Sequence, residues 1–185
     1  RDIKRLGGLR HLMPITAVIA VIGSLSMAGI PLFNGFLSKE MMLEAAVHTP
    51  WAGAHWVMPV FATLGALFSV AYSFRLIVHV FFGPKRDDYP HMPHDPGFGM
   101  WAAPAFLVVF VVLIGLFPAL IAGPLVATAG QAVIGGELPY YALQIWHGFT
   151  PALFMSIGAV VGGLILLALH DKLERLWNAV PRPEA

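Results

Sequence analysis

The residues able to do chemistry are concentrated in one short stretch, GIPLFNGFLSKE at 29–40, and in the turns that follow it. Lys39, Glu40 and Glu44 are ionisable groups in otherwise apolar surroundings, and Glu40, Glu44 and His48 recur every four residues, on one helical face. Gly29, Pro31, Asn34 and Gly35 precede them, and these are residues that stop or turn a helix. Placing a lysine at mid-membrane costs about 2.5–3.5 kcal/mol on insertion scales, so a lysine kept there calls for a role. The natural one is a switchable charge that takes up and releases a proton. A helix break beside it frees backbone carbonyls and amides, which are tolerated only where they line a hydrated cavity. Half-helix ends beside a midplane ionisable group are a way of building an ion site. In this reading Lys39 is the switch, and the ladder through Glu40, Glu44 and His48 relays protons outward. Two blander readings stand beside it. Lys39 snorkels to an interface or is neutralised permanently by Glu40 or Glu44, while Glu44 and His48 only cap the wet end of the helix.

A second group lies in SVAYSFRLIVHVFFG, where Tyr72, Arg75 and His79 fall at i, i+3 and i+7 and form one polar stripe on an apolar helix. Arg75 or His79 would then sit on the other half of a hydrated path to Lys39, His79 being suited to proton relay by its near-neutral titration. The alternative for Arg75 is snorkelling from about two turns inside the span. His91, His94 and Asp95 (HMPHD) are metal-ligand types, but they lie among prolines with no further ligand cluster, so no metal site is expected. His147 in IWHGF reads as interfacial. There is no phosphate loop, nucleophile elbow, HExxH or paired-cysteine motif, and neither a cofactor nor covalent chemistry is expected.

The elements that position these groups must be membrane helices. Of 185 residues, 58% are hydrophobic and 11% charged, and the mean hydropathy is +0.76, against about a quarter charged in a soluble domain. A net charge of +1 without a basic run gives no case for nucleic acid, and the absence of cysteine excludes disulfides and thiolate metal sites. Apolar runs cover about 57–82, 101–122 and 150–169, each long enough to span a bilayer. A further run starts at Pro14 and continues through the GIPLFNGFLSKE stretch to about Val47. Its 34 residues would make a helix of about 50 Å, too long for a core of about 30 Å. Two half-helices broken at Gly29–Gly35 fit better; a single helix ending near Ala28 and followed by a surface helix is the alternative. The expected fold is therefore an all-α membrane protein of about four spans, the first discontinuous.

Lysine and arginine set the orientation. Arg1, Lys4, Arg5 and Arg10 precede the first span, Lys85 and Arg86 follow the second, and Lys172 and Arg175 follow the fourth; the stretches 48–56 and 123–149 have neither residue. Both ends and the 83–100 loop are then cytoplasmic, which requires the broken segment to cross. Residues 83–99 carry four prolines and three glycines and read as loop. Residues 123–146 are weakly amphipathic and broken at Gly135-Gly136 and Pro139, and HDKLERLWNAV extends the last helix into water with Trp177 as an anchor. An initial Arg1 rather than Met, with no signal peptide, is what a piece of a longer polypeptide would show.

Taken in order, GGLRHLMP, SLSMAGIPLFNGFLSKEMMLEA and YSFRLIVHVFFG resemble consecutive parts of the antiporter-like membrane subunits. That family joins the large subunits of Mrp sodium/proton antiporters and the NuoL-type proton-pumping subunits of respiratory complex I. GIPLFNGFLSKE followed by EA, with LQIWHGF before the last span, is most similar to MrpA. The resemblance covers essentially the whole chain and is most specific at 7–45 and 70–83. It implies that Lys39 is the lysine of the second broken helix, on the exit side, and that these spans form the C-terminal part of an antiporter domain of fourteen or more helices. It also implies a multi-pass plasma-membrane protein whose partners are other Mrp-type subunits, sodium ions, protons and membrane lipid. The family's first broken helix, its lysine and the glutamate–lysine pair have no counterpart here, so these residues would not transport alone. His79 departs from an otherwise apolar helix end. The rivals are a NuoL-like subunit of complex I or of a membrane-bound hydrogenase, and a scaffold whose polar residues only lock helices together.

Overall fold

The computed structural model describes residues 6–85, 89, 91–136, 143–146 and 148–179. Arg1, Lys4, Arg5, Arg86, Pro139 and His147 lie outside them, as does the side chain of Trp177. The described residues form helices: α1 (Pro14–Ala28), α2 (Asn34–His48), α3 (Val57–Arg75) continued by a π-helical segment (Leu76–Phe81), α4 (Phe98–Leu116), α5 (Pro118–Ile121), α6 (Gly123–Ile134), α7 (Pro151–Ala168) and α8 (His170–Ala179). Three are long and apolar enough to cross a membrane: Val57–Phe81, Phe98–Leu116 and Pro151–Ala168. α1 and α2 have 15 residues each, about 22 Å of helix, and neither alone matches a bilayer core. The protein is an all-α, multi-pass membrane protein whose first span is discontinuous.

Local sequence explains the boundaries. Pro14 occupies the first turn of α1, where no amide partner is needed. Thr150 opens α7 by accepting a hydrogen bond from the Leu153 amide at 3.2 Å, with Pro151 next in line. The apolar run at 101–122 does not form one helix. α4 starts earlier, at Phe98, and stops at Leu116, because Pro118 cannot continue a helix and restricts Phe117 before it. α6 ends at Gly135, which takes a left-handed φ of 69°. It has no buried residue.

α2 lies among α1, α3, α4 and α7, and its Leu43 is completely buried. The most extensive packing is between α3 and α7. Glycines make it possible: a Cβ built on Gly163 would lie 2.6 Å from Val70 Cβ, and one on Gly162 would lie 2.5 Å from Leu67 Cδ1. Small residues of this kind let membrane helices approach closely, where dispersion rather than the hydrophobic effect holds them.

The N-terminal segment is clamped to the far end of α3. Leu9 and Ala17 pack with Val80 and Phe81, and the Tyr89 hydroxyl donates to the Gly7 carbonyl. Asp95 is the N-terminal cap of α1, supplied from 80 residues away. It accepts from the Ile15 amide at 3.0 Å, the Thr16 amide at 3.0 Å and the Thr16 hydroxyl at 2.8 Å. Desolvation pushes the Asp95 carboxyl up, but these hydrogen bonds from Thr16 and Ile15, helped by His94, outweigh it and leave its pKa lowered. The stabilisation is therefore complete above the carboxyl's unfolded value and is lost as pH falls through the depressed folded value. Asp95→Ala should lower the thermal midpoint by a few degrees at neutral pH, and the gap to wild type should close as the pH is taken below that value.

Candidate functional site: the helix break and Lys39

The break accounts for its own backbone groups. At the end of α1, Gly29 has φ 76°, ψ 39°, and its amide donates to Ser26 O at 2.9 Å while Ile30 N donates to Leu25 O at 3.1 Å. This is a Schellman closure, which needs a residue free to take positive φ. Leu32 also has positive φ, 77°, a strained state for a residue with a Cβ. Its carbonyl sits directly against Gly115 of α4, where any side chain would collide. At the start of α2 the Gly35 amide donates to Ser26 Oγ at 3.1 Å, and Ser26 Oγ donates to Asn34 Oδ1 at 2.7 Å. One serine of α1 thus caps α2.

Lys39 closes the remaining gap. Side chains on a helix lean towards its N-terminus, and Lys39 follows that rule back to the break: a Cβ built on Gly29 would lie 2.7 Å from Lys39 Cδ. Its amine donates to Ser69 Oγ of α3 at 2.9 Å, and Ser69 Oγ donates to the Met27 carbonyl at 2.8 Å. Met27 O is one of the carbonyls that the end of α1 leaves without a helical partner. The amine therefore faces a neutral hydroxyl and, through it, the negative end of the α1 dipole. The Tyr72 hydroxyl lies 3.3 Å from the same Ser69 oxygen.

Beyond Tyr72 a cleft of about 350 Å³ opens between α3 and the α7–α8 junction, lined by Tyr72, Arg75 and His170 among apolar side chains. Arg75 Nε is buried without a hydrogen-bond partner among the described residues. His79 Nδ1 lies 3.3 Å from the Arg75 carbonyl, and its ring meets His170 edge-on with centroids 5.5 Å apart. His170 Nε2 is 3.5 Å from Glu174. The π-helical turn around His79 is the kind of local distortion often found at functional sites.

The chain as a whole resembles known proteins. A profile described as "NADH:quinone oxidoreductase/Mrp antiporter, TM" matches residues 1–69, which carry α1, the break, α2 and Ser69. A probable K(+)/H(+) antiporter subunit (type A/B) of Rhizobium meliloti is 45% identical over 170 residues, covering 91% of this chain and 17% of that protein. A Na(+)/H(+) antiporter subunit (type A1) of Staphylococcus haemolyticus is 38% identical over 188 residues, covering 98% of this chain and 23% of that protein. A chain in the "Structure of Mrp complex from Dietzia sp. DQ12-45-1b" superposes with a TM-score of 0.78 at 29% identity, over 97% of this chain and 19% of that one. The chain belongs to the MrpA-type antiporter-subunit family. This MrpA-type segment spans about a fifth of the length of the relatives it matches.

The structure brings some of the expected site residues of the MrpA-type segment together and separates others. Gly29, Asn34, Gly35 and Lys39 meet at the break, with Pro31 exposed in the link. Glu40 is buried, whereas Glu44 and His48 of the same helix are exposed. Tyr72 and Arg75 of α3 line the same cleft as His170, whose ring His79 of the π-helical segment meets edge-on, and Ser69, one step earlier on α3, contacts Tyr72. Ser26, Ser69 and His170 were not anticipated from the sequence. The signal for Ser69 was its spacing, three residues before Tyr72 in the same stripe. No sequence signal pairs Ser26 with Gly35 or His170 with His79. Asp95 caps α1.

Proposed function

We propose that this chain is part of a cation/proton antiporter subunit, in which Lys39 carries protons across the midpoint of the membrane. One observation bears most of the weight. The amine of Lys39 sits at the break itself, bonded to a hydroxyl that can accept from an ammonium or donate to a free amine. As an ammonium, Lys39 donates to Ser69, whose hydroxyl in turn donates a hydrogen bond to Met27 O. As an amine, it accepts from Ser69 instead. Both protonation states thus find a partner without the helices moving, as a site that must alternate between them requires. Sodium and potassium are the cations named for its relatives, and one of these is the expected exchange ion. The complete subunit works with other membrane subunits in the plasma membrane. The reading is of a transporter rather than an enzyme, with 83–100 and both ends cytoplasmic by the distribution of Lys and Arg.

Everted vesicles carrying the intact complex test this. Adding sodium or potassium should collapse a preformed pH gradient, and a cysteine introduced by Lys85→Cys should be labelled from the bath while one from Thr49→Cys is not. Residues 1–185 contain no native cysteine, so labelling is read against the same complex without the introduced one. A gradient indifferent to both cations would remove the antiport reading, and labelling of Thr49→Cys alone would invert the topology. The profile's description also names NADH:quinone oxidoreductase. Copurification of redox subunits with the complex would move the same lysine into a redox-driven pump.

A further inference from the structure

We propose that the cleft between α3 and the α7–α8 junction is a second arm of the pathway, selective for protons over alkali cations and ending at His170. It rests on the antiport reading of Lys39. The arm begins with contacts already in place: Lys39 Nζ to Ser69 Oγ at 2.9 Å, then Ser69 Oγ to Tyr72 Oη at 3.3 Å. Tyr72 lines the cleft that also holds His170, and about 350 Å³ has room for several waters at about 30 Å³ each. His170 is the first residue of α8, just past the end of α7, so it stands where the spanning helix stops. Glu174 at 3.5 Å can pair with its imidazolium, and His79 supports its ring from the side.

The selectivity comes from which groups line the arm. A hard cation needs several oxygen ligands around it. In the cleft the lining oxygen is the Tyr72 hydroxyl, the neighbouring side chains include Phe68, Leu166 and Leu167, and Arg75 adds a fixed positive charge; the Ser69 hydroxyl and Met27 carbonyl lie at one end and the Glu174 carboxylate at the other, beside His170. Among the residues that line the cleft, a sodium ion finds a fixed positive charge and one hydroxyl oxygen, too few ligands for a cage. A proton needs no cage, because it moves by exchange between neighbours. An imidazolium at His170 breaks one N–H bond and gives the proton to a water. The water passes a proton to Tyr72 Oη, Tyr72 releases its own to Ser69 Oγ, and Ser69 releases its own to the free amine of Lys39. The products are neutral His170 and the Lys39 ammonium, with each oxygen left as it began.

The test uses the intact complex in proteoliposomes, with assembly checked for every variant. His170→Ala should slow exchange by at least about tenfold, within the range for losing a positioned acid–base group, and added imidazole should restore much of it. Tyr72→Phe, which keeps the ring and removes the hydroxyl, should slow exchange without imidazole rescue. Normal exchange in His170→Ala, or a loss that imidazole leaves untouched, would overturn the arm and leave Lys39 standing. Normal exchange in Lys39→Ala would instead overturn the reading on which the arm depends.

Discussion

Lys39→Ala should leave the complex assembled and reduce cation/proton exchange by at least about tenfold, the scale on which a positioned proton carrier acts. Both halves of that expectation follow from the contacts of the amine. The Lys39 ammonium donates to Ser69, but Ser69 has its own acceptor in Met27 O at 2.8 Å. Removing the amine leaves no buried donor or acceptor stranded, so the usual cost of breaking a buried polar network is largely avoided. The α1 closure through Gly29 and Ile30 and the α2 cap through Ser26 do not involve the lysine at all. What disappears is the amine at the break, a group that can change its charge. Exchange measured in vesicles, beside subunit content on a native gel, separates the two effects. A variant that fails to assemble would mean that the lysine is part of the scaffold.

The largest structural effect is expected at Gly35. A Cβ there would collide with the Ser26 carbonyl, and would lie 2.7 Å from its carbon and 2.8 Å from Ser26 Oγ. Two of those atoms are backbone, so the helices would have to part. Overpacking of this kind costs about 1–3 kcal/mol, occasionally more, and here it also displaces the hydroxyl that caps α2. Gly35→Ala should therefore lower both the thermal midpoint and the amount of complex recovered from the membrane. Gly29→Ala should act differently. It imposes a left-handed conformation at about 1–2 kcal/mol and pushes against the flexible Lys39 chain, at 2.7 Å from Cδ. The expected outcome is an assembled complex with slowed exchange. Gly65→Ala is the control, since nothing lies within 4 Å of a Cβ built there. Equal behaviour of all three variants would mean that the break tolerates side chains as readily as an open helix face does.

How far the sequence led depended on whether the physics was local. The spans could be read because each is a run of apolar residues long enough for a bilayer. The break could be read because Gly29, Pro31 and Gly35 carry their backbone preferences with them. The stop at Leu116 was also written locally, in Pro118, but the apolar run around it concealed it. Lys39 stood out through its cost in lipid, a property of one residue. Its partner did not, because Ser69 lies 30 residues away and becomes a partner only when α3 packs on α2. The same holds for Asp95, which the sequence left without a role in the HMPHD loop and which caps a helix 80 residues earlier. His170 reads as the start of a wet tail until α7 brings it against His79. The ladder through Glu40, Glu44 and His48 was a sound statement about one helical face, but burial changes along that face, from buried at Glu40 to exposed at Glu44 and His48.

In the proposed mechanism Lys39 works by changing its charge, not by holding one, and Lys39→Arg separates the two. Arginine keeps the positive charge and the ability to donate to Ser69, yet it stays protonated throughout the accessible pH range. The measurement is cation-driven proton movement in proteoliposomes containing the fully assembled Lys39→Arg complex, across neutral pH. A lysine that must titrate predicts exchange as low as in Lys39→Ala. Exchange at the wild-type rate would rule that role out, because a fixed charge would then suffice.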